Sequence, residues 1–294
     1  MKPDDILKPY ISTLENNLKT VVEENSNELK QDILGFLFAK SKRIRPVFTY
    51  LCTFLLDEEI DKDIQNIALC IELLHSATLV HDDVIDESIK RRENDSFYSK
   101  FGSKKSIIIG DYLLSLCLLV LSKIQNTKIS EIFSQNILKT INGEINQFDA
   151  RFKIQGEKEY LQKTAAKTAN LFVCAAQSVC EIKKAKPEIK NALEKFAYDF
   201  GTVFQLNNDI KNFMSSQDDI KNGIYTLPYI YFKQENPTCD IIKLNKNQTF
   251  KYAQMAQNKS KKIIENAFLE LDFSKNINAK DTIKTICDDL LRIQ

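Results

Sequence analysis

Residues 81 to 92 read HDDVIDESIKRR: Asp82, Asp83, Asp86 and Glu87 crowd together, followed by Lys90, Arg91 and Arg92. On a helix, Asp82 and Asp86 share a face one turn apart, and Asp83 flanks them about 100° round. Like charges at that spacing repel by roughly 0.2–0.5 kcal/mol per pair, so water or a cation must compensate. Carboxylate oxygens suit a hard cation, and Mg²⁺ is usually held by one or two of them together with waters and substrate phosphates. Guanidinium forks grip phosphate. Arg91 and Arg92 lie one to two turns on along the same helix, and carboxylates followed by arginines at helical spacing point to a metal-bridged diphosphate. A solvated charged face has the same composition, but the preceding LLHSATLV is strongly apolar and sets the acids at the end of a buried stripe. His75 lies two turns ahead of Asp82 on the same face, where a satisfied core histidine is the simpler reading.

A second stretch repeats the geometry. In NNDIKN, Asn208, Asp209 and Asn212 stand at the same offsets as Asp82, Asp83 and Asp86. Two of the three positions are amides, which can ligate Mg²⁺ without supplying charge, so this is the weaker half. Taken alone, it reads as the end of a surface helix.

Helices must position both stretches. Ile64, Ile67, Ile71, Leu74 and Thr78 follow a 3-4-3-4 ladder into the first acidic cluster, and Leu193, Phe196, Phe200 and Phe204 do the same before NNDIKN. Residues 105–123, 128–148, 157–184 and 253–271 also carry helical periodicity, with breaks near Pro46, Gly102, Gly156, Pro187, residues 214–223 and Pro237. Residues 47 to 101 contain neither Gly nor Pro. No segment alternates with period 2 long enough for a sheet. The expectation is one all-α domain over residues 1–294, built of about ten helices.

Composition narrows the function classes. The chain has 294 residues, 43% hydrophobic and 28% charged, with a net charge of +1. No bulk field draws it to nucleic acid or anionic lipid. Seven cysteines without a CxxC pair, and only two histidines, argue against zinc and for buried thiols in a reducing compartment, hence the cytoplasm. MKPDDILKPYIS lacks the apolar run of a signal peptide. The most apolar stretch, SIIIGDYLLSLCLLVLS, is interrupted by Asp111 and reads as a buried helix rather than a transmembrane segment.

These motifs resemble the trans-isoprenyl diphosphate synthases (polyprenyl synthetases), most closely the bacterial long-chain, octaprenyl-type members. HDDVID resembles the first aspartate-rich motif DDxxD, with its arginine pair as Arg91 and Arg92. SKRIRP at 41–46 resembles GGKRLRP, and FGSKKSIIIGDYLL at 101–114 resembles FGxxxAxLxGDxLL. GEINQ at 143–147, KTANLF at 167–172, FGTVFQ at 200–205 and DIKNGIYTLP at 219–228 follow in register. The resemblance implies ten or more helices around a deep central cavity, usually in a homodimer. It implies Mg²⁺-dependent condensation of an allylic diphosphate with isopentenyl diphosphate. By the same resemblance, Asp82, Asp83, Asp86 and Asp209 are the metal ligands, and Arg91 contacts the allylic diphosphate. Lys42, Arg45, His75 and Arg92 hold isopentenyl diphosphate, while Lys167, Thr168 and Gln205 line the reacting centre. No Ser-His-Asp or Cys-His arrangement is present, and this chemistry needs none.

Several positions depart from the family pattern. Lys40-Ser41 stands for the glycine pair, the second motif is reduced to Asn208-Asp209-x-x-Asn212, and Ile224 stands where the family often has Lys. Lys211 or Lys221 could supply the cation missing after that motif. Two alternatives follow: a catalytically weak or silent subunit partnering an active synthase, and a class I terpene cyclase. A cyclase has no use for an isopentenyl site, and Ser216 stands where its motif wants an acid. Product length depends on the helix carrying Asp82. Thr78 and Leu74 face the growing tail, and the small residues Ala77 and Thr78 resemble long-chain enzymes that make quinone side chains. Phe148, Phe172 and Tyr112 are the other residues that could floor the tunnel.

Overall fold

The computed structural model describes residues 3–25, 28–91, 94–239 and 244–292. The chain divides into two compact units, one of residues 1–131 and 178–184, the other of residues 132–177 and 185–294.

In the first unit the helices are α1 (Pro3–Glu24), α2 (Lys30–Leu37), α3 (Ile44–Leu55), α4 (Lys62–Ile85) and α5 (Phe97–Leu121). The start of α6 (Thr127–Asp149) belongs here too. The ladder read from sequence is the buried face of α4: Ile64, Ile67, Ile71 and Leu74 are all buried. Asp61 caps that helix, accepting from Ile64 N at 2.9 Å, the kind of cap that satisfies an otherwise orphaned amide. The break expected near Pro46 is present, since α2 ends at Leu37 and α3 begins at Ile44, two residues before it. Pro46 sits in the first turn of α3, where its missing N–H leaves no bond unmade. Gly102 kinks α5 with φ 74° and ψ 173°. A small ribbon also forms, β1 (Lys90–Arg91) antiparallel to β2 (Asn94–Asp95), with Lys90 opposite Asp95.

The second unit holds the rest of α6, then α7 (Glu157–Thr164), a π-helical turn (Ala165–Ala169) and the start of α8 (Asn170–Ile182). It continues through α9 (Pro187–Ser215), α10 (Asp218–Lys221), α11 (Leu227–Glu235) and α12 (Lys246–Phe268). A 3₁₀ turn (Leu269–Phe273) and α13 (Ile277–Leu291) complete it. The expected continuous helix over 157–184 is thus broken by the π turn. The aromatic ladder of α9 is core, and Phe172 meets Phe200 edge-on with centroids 5.1 Å apart. All seven cysteines are free thiols, six of them buried. Among the described residues no helix is long and apolar enough to cross a membrane.

Candidate functional site

In the first unit, α4 ends one residue before Asp86. Ser88 N donates to Asp83 O at 2.9 Å and Glu87 N to Val84 O at 3.4 Å, with Glu87 left-handed at φ 49°. This is a Schellman reversal, usually made with glycine. It corrects the expectation that Arg91 follows on the same helix. The chain turns back, and the ribbon delivers Arg91 to α4 from outside. Lys90 Nζ donates to Asp95 Oδ1 at 2.7 Å across that ribbon. Arg91 Nε donates to Asp83 Oδ1 at 2.8 Å, and its Nη2 reaches the same oxygen. Arg92 lies outside the described residues.

Asp83 is only 1% exposed, and its Oδ2 accepts no hydrogen bond. Burial pushes its carboxyl above the usual carboxylate range; Arg91 opposes the rise and Asp86 adds to it. Asp82 is half-buried and Asp86 exposed. Among the described residues no three His, Cys, Asp or Glu side chains converge into a metal cage, so Asp82, Asp83 and Asp86 line one helix end without closing around a point. That open, all-carboxylate set suits Mg²⁺, which completes its shell with waters and phosphate oxygens, and the orphaned Asp83 Oδ2 is a buried acceptor available to such an ion. Gly110 makes room for the residue before the pair: a Cβ there would lie 2.2 Å from His81 Nε2. His81 Nε2 stands 3.3 Å from Asp111 Oδ1.

The SKRIRP segment approaches α4 in the same unit. Arg45 Nη1 lies 3.0 Å from His75 Nε2, so the structure brings together two of the groups singled out for isopentenyl diphosphate. Lys42 is exposed beside them in sequence. The residue between, Arg43, was not singled out. It is buried and left-handed, with φ 50° and ψ 33°. Further up α4, Leu74 and Ala77 are buried and Thr78 half-buried, its hydroxyl donating to His75 O at 2.8 Å. Of the other floor candidates in this unit, Tyr112 donates its hydroxyl to Asn25 O at 2.9 Å.

The second unit joins Thr168, Gln205 and Asp209 by hydrogen bonds, with the Lys167 charge acting on Asp209. Thr168 Oγ1 donates to Gln205 Oε1 at 3.1 Å, and Gln205 Nε2 donates to Asp209 Oδ1 at 2.7 Å. Tyr160, seven residues before Lys167, donates its hydroxyl to Asp209 Oδ2. Sequence reasoning missed Tyr160, although two helical turns from Lys167 place it on the same face. Burial lifts the Asp209 carboxyl to about 7; Asp219 adds to the rise, while the bonds from Tyr160 and Gln205 and the Lys167 charge oppose it. Burial also holds Lys163 below the ordinary lysine range, with Asp209 opposing and Lys167 assisting.

Lys167 Nζ pairs with Glu144 Oε1 at 2.8 Å. The neighbouring Gly143 explains how. A Cβ on it would lie 2.9 Å from Ala166 C and Lys167 N, so glycine lets α6 press onto the backbone of the π turn. Such π insertions are common where a helix carries function. Asn208 is half-buried and Asn212 exposed, as are Lys211 and Lys221. Phe172 is wholly buried against Phe200 and Phe204, whereas Phe148 is 59% exposed.

The family model described as polyprenyl synthetase matches residues 27–268. Heptaprenyl diphosphate synthase component 2 of Bacillus subtilis (strain 168) is 32% identical over 252 residues, covering 83% of this chain and 72% of the relative. Decaprenyl-diphosphate synthase of Dictyostelium discoideum is 32% identical over 206 residues, covering 67% of this chain but 45% of the relative. This chain thus spans less than half of that protein. The crystal structure of heptaprenyl diphosphate synthase from Staphylococcus aureus superposes with a TM-score of 0.86 at 25% identity, covering 97% of this chain and 98% of that one.

Proposed function

Because this chain belongs to the polyprenyl synthetase family, we propose that it condenses an allylic diphosphate with isopentenyl diphosphate head to tail, releasing diphosphate and giving a long-chain trans-polyprenyl diphosphate. The observation that carries this reading is the pairing of Arg45 with His75 on α4, the helix that ends in Asp82 and Asp83. An acidic set at the end of α4 and a basic set where Arg45 of α3 meets His75 of α4 suit two diphosphates, and a cyclase would need only the first. The names of the relatives, heptaprenyl and decaprenyl diphosphate synthases, support a long product. We take residues 1–294 as one catalytic domain, since the family match runs through both units.

Asp82, Asp83, Asp86 and Asp209 would hold Mg²⁺, which when bound neutralises the leaving diphosphate. Arg91, fixed by Asp83, presents a cation to the same group as its charge grows. Fixed cations aimed at developing charge stabilise the transition state more than the ground state. Lys42, Arg45, His75 and Arg92 bind isopentenyl diphosphate by charge-assisted hydrogen bonds. Its double bond attacks the allylic carbon as the C–O bond breaks, and the proton then leaves, with the departing diphosphate as the available base. Lys167, Thr168 and Gln205 line the reacting centre, where oriented polar groups replace water around the short-lived cation.

We place the enzyme in the cytoplasm, a reading supported by its seven free thiols. We also propose a homodimer. Leu138, Ile141, Ile145 and Phe148 form a stripe along α6, each at least 50% exposed, and exposed apolar stripes of that kind mark interfaces. The Bacillus relative is named as component 2, so a different chain is the competing occupant. The mass of the purified protein in solution separates one chain, two copies and a dependence on a second polypeptide.

The deciding experiment mixes purified protein with farnesyl and isopentenyl diphosphates and Mg²⁺, measures released diphosphate and separates the products by chromatography. A ladder of long products, abolished by a chelator and by Asp82→Ala, is expected. No turnover with any allylic primer, or cyclic products without isopentenyl incorporation, refutes the proposal.

A further inference from the structure

Within SKRIRP, Lys42 is exposed while its neighbour Arg43 points inward, only 4% exposed. Arg43 Nη1 donates to Glu72 Oε1 at 2.5 Å, and Nη2 donates to Leu37 O at 2.7 Å. Glu72 is 1% exposed and lies one turn before His75 on α4. Two residues on, Arg45 Nη1 meets His75 Nε2 at 3.0 Å. The two arginines of one short segment therefore take successive turns of one helix: the first reaches a buried carboxylate, the second the proposed anion site. The segment's backbone is held as well, since Arg43 N donates to Ser41 Oγ at 3.3 Å.

We propose that the Arg43–Glu72 pair is a positioning device for the isopentenyl diphosphate site. The proposal rests on the reading that Lys42, Arg45 and His75 bind that diphosphate. The guanidinium ties three pieces together, the end of α2 through Leu37, the segment itself, and α4 through Glu72. Two directed bonds on a planar group fix rotation as well as distance. Left-handed backbone at a non-glycine residue persists only where its surroundings hold it. Here the inward turn of Arg43 sends Lys42 the other way, to the surface, and delivers Arg45 to His75. A buried ion pair is weak evidence for stability, because apolar residues of like volume often replace one without loss. Registration of the flanking cations gives this pair a role that such a replacement would remove.

The test uses Glu72→Gln and the double variant Arg43→Met/Glu72→Leu, the latter leaving no lone buried charge. Melting temperature, KM for each substrate, kcat, and calorimetric binding of isopentenyl diphosphate alone are measured for each. Both variants should fold, and the double variant should melt close to the wild type. The KM for isopentenyl diphosphate should rise at least about tenfold, as expected when a binding group is displaced by about an ångström. The KM for the allylic primer and kcat at saturation should change less than about twofold. Calorimetry should show the same loss as the isopentenyl KM. An unchanged isopentenyl KM in a folded double variant overturns the proposal, as does an equal rise in both KM values. If the wild type itself neither turns over nor binds isopentenyl diphosphate, the proposed function fails first and this proposal falls with it.

Discussion

Replacing Gly143 with alanine probes the contact that presents Lys167. The new Cβ would stand 2.9 Å from Ala166 C and Lys167 N and 3.1 Å from Ala166 O. All three are backbone atoms, so no side chain can swing aside. Restoring ordinary carbon contact near 3.5–4.0 Å requires roughly 0.6–1 Å of movement. Overpacking of that kind costs about 1–3 kcal/mol, and a backbone-on-backbone clash belongs at the upper end. Alanine in a helix interior returns about 0.5–1 kcal/mol over glycine, leaving a net loss of about 1–2 kcal/mol. Gly35 in α2 supplies the control, because a Cβ there meets nothing within 4 Å. Gly35→Ala should therefore keep only the gain. The two variants should differ by about 2–3 kcal/mol, or about 5 °C in Tm at about 2 °C per kcal/mol for a chain of this size. Turnover separates them further. A shift of Lys167 by about an ångström should lower kcat by up to about a hundredfold, while Gly35→Ala leaves it intact. Thermal melts and diphosphate release assays on the same preparations give both readouts. A Gly143→Ala protein that melts with Gly35→Ala and turns over normally would show that α6 does not set the Lys167 backbone, and the reasoning would fail.

Other outcomes follow from the same geometry. Thr78→Phe should shorten the product ladder, since Thr78 is half-buried, whereas Ala77→Phe should mainly lower Tm because Ala77 is packed; equal ladders for both and for the wild type would place the floor elsewhere. Tyr160→Phe strips a donor from buried Asp209 and should cost about 1–3 kcal/mol, read as a lower Tm; an unchanged Tm contradicts the bond. Asp199 is raised by burial, opposed by Lys195 and assisted by Glu270. A carboxyl raised on folding favours the native state in acid and loses that advantage as pH climbs through its folded value. Asp199→Asn should therefore raise Tm at neutral pH and not near pH 3, and a pH-independent shift in Tm rules this out.

Much of this was legible because apolar spacing and chemistry coincide. The ladder from Ile64 to Thr78 fixed both the face of α4 and the end at which the acids emerge, and the ladder from Leu193 to Phe204 did the same for Gln205 and Asp209. What escaped were features that depend on partners distant in sequence. Glu87 gives no glycine signal for a left-handed reversal, so Arg91 read as helical when it returns on a ribbon. Arg43 resembles its neighbours Lys42 and Arg45 in composition, and Glu72, 29 residues on, together with Leu37 O holds it inward. The π turn leaves no trace in KTANLF, and the close approach of Gly143 to its backbone joins residues more than twenty apart. Tyr160 was readable in principle from its spacing to Lys167, but its partner Asp209 is 49 residues away.

The distribution of negative charge has a consequence for the proposed chemistry. In the second unit Asp209 already accepts bonds from Tyr160 and Gln205 and is lifted to about 7 by burial, while Asn208 and Asn212 add no charge. In the first unit Asp82 and Asp86 are accessible carboxylates at a helix end, and Asp83 keeps one oxygen without a hydrogen bond. Under the proposed function, metal affinity therefore rests mainly on the first set. On the same reading the second set would act chiefly through the Lys167 charge and the polar Thr168–Gln205 pair, which can orient a diphosphate without binding an ion tightly. Losing the Asp82 carboxylate should then weaken Mg²⁺ dependence far more than Asn212→Ala, which removes an uncharged ligand from an exposed position.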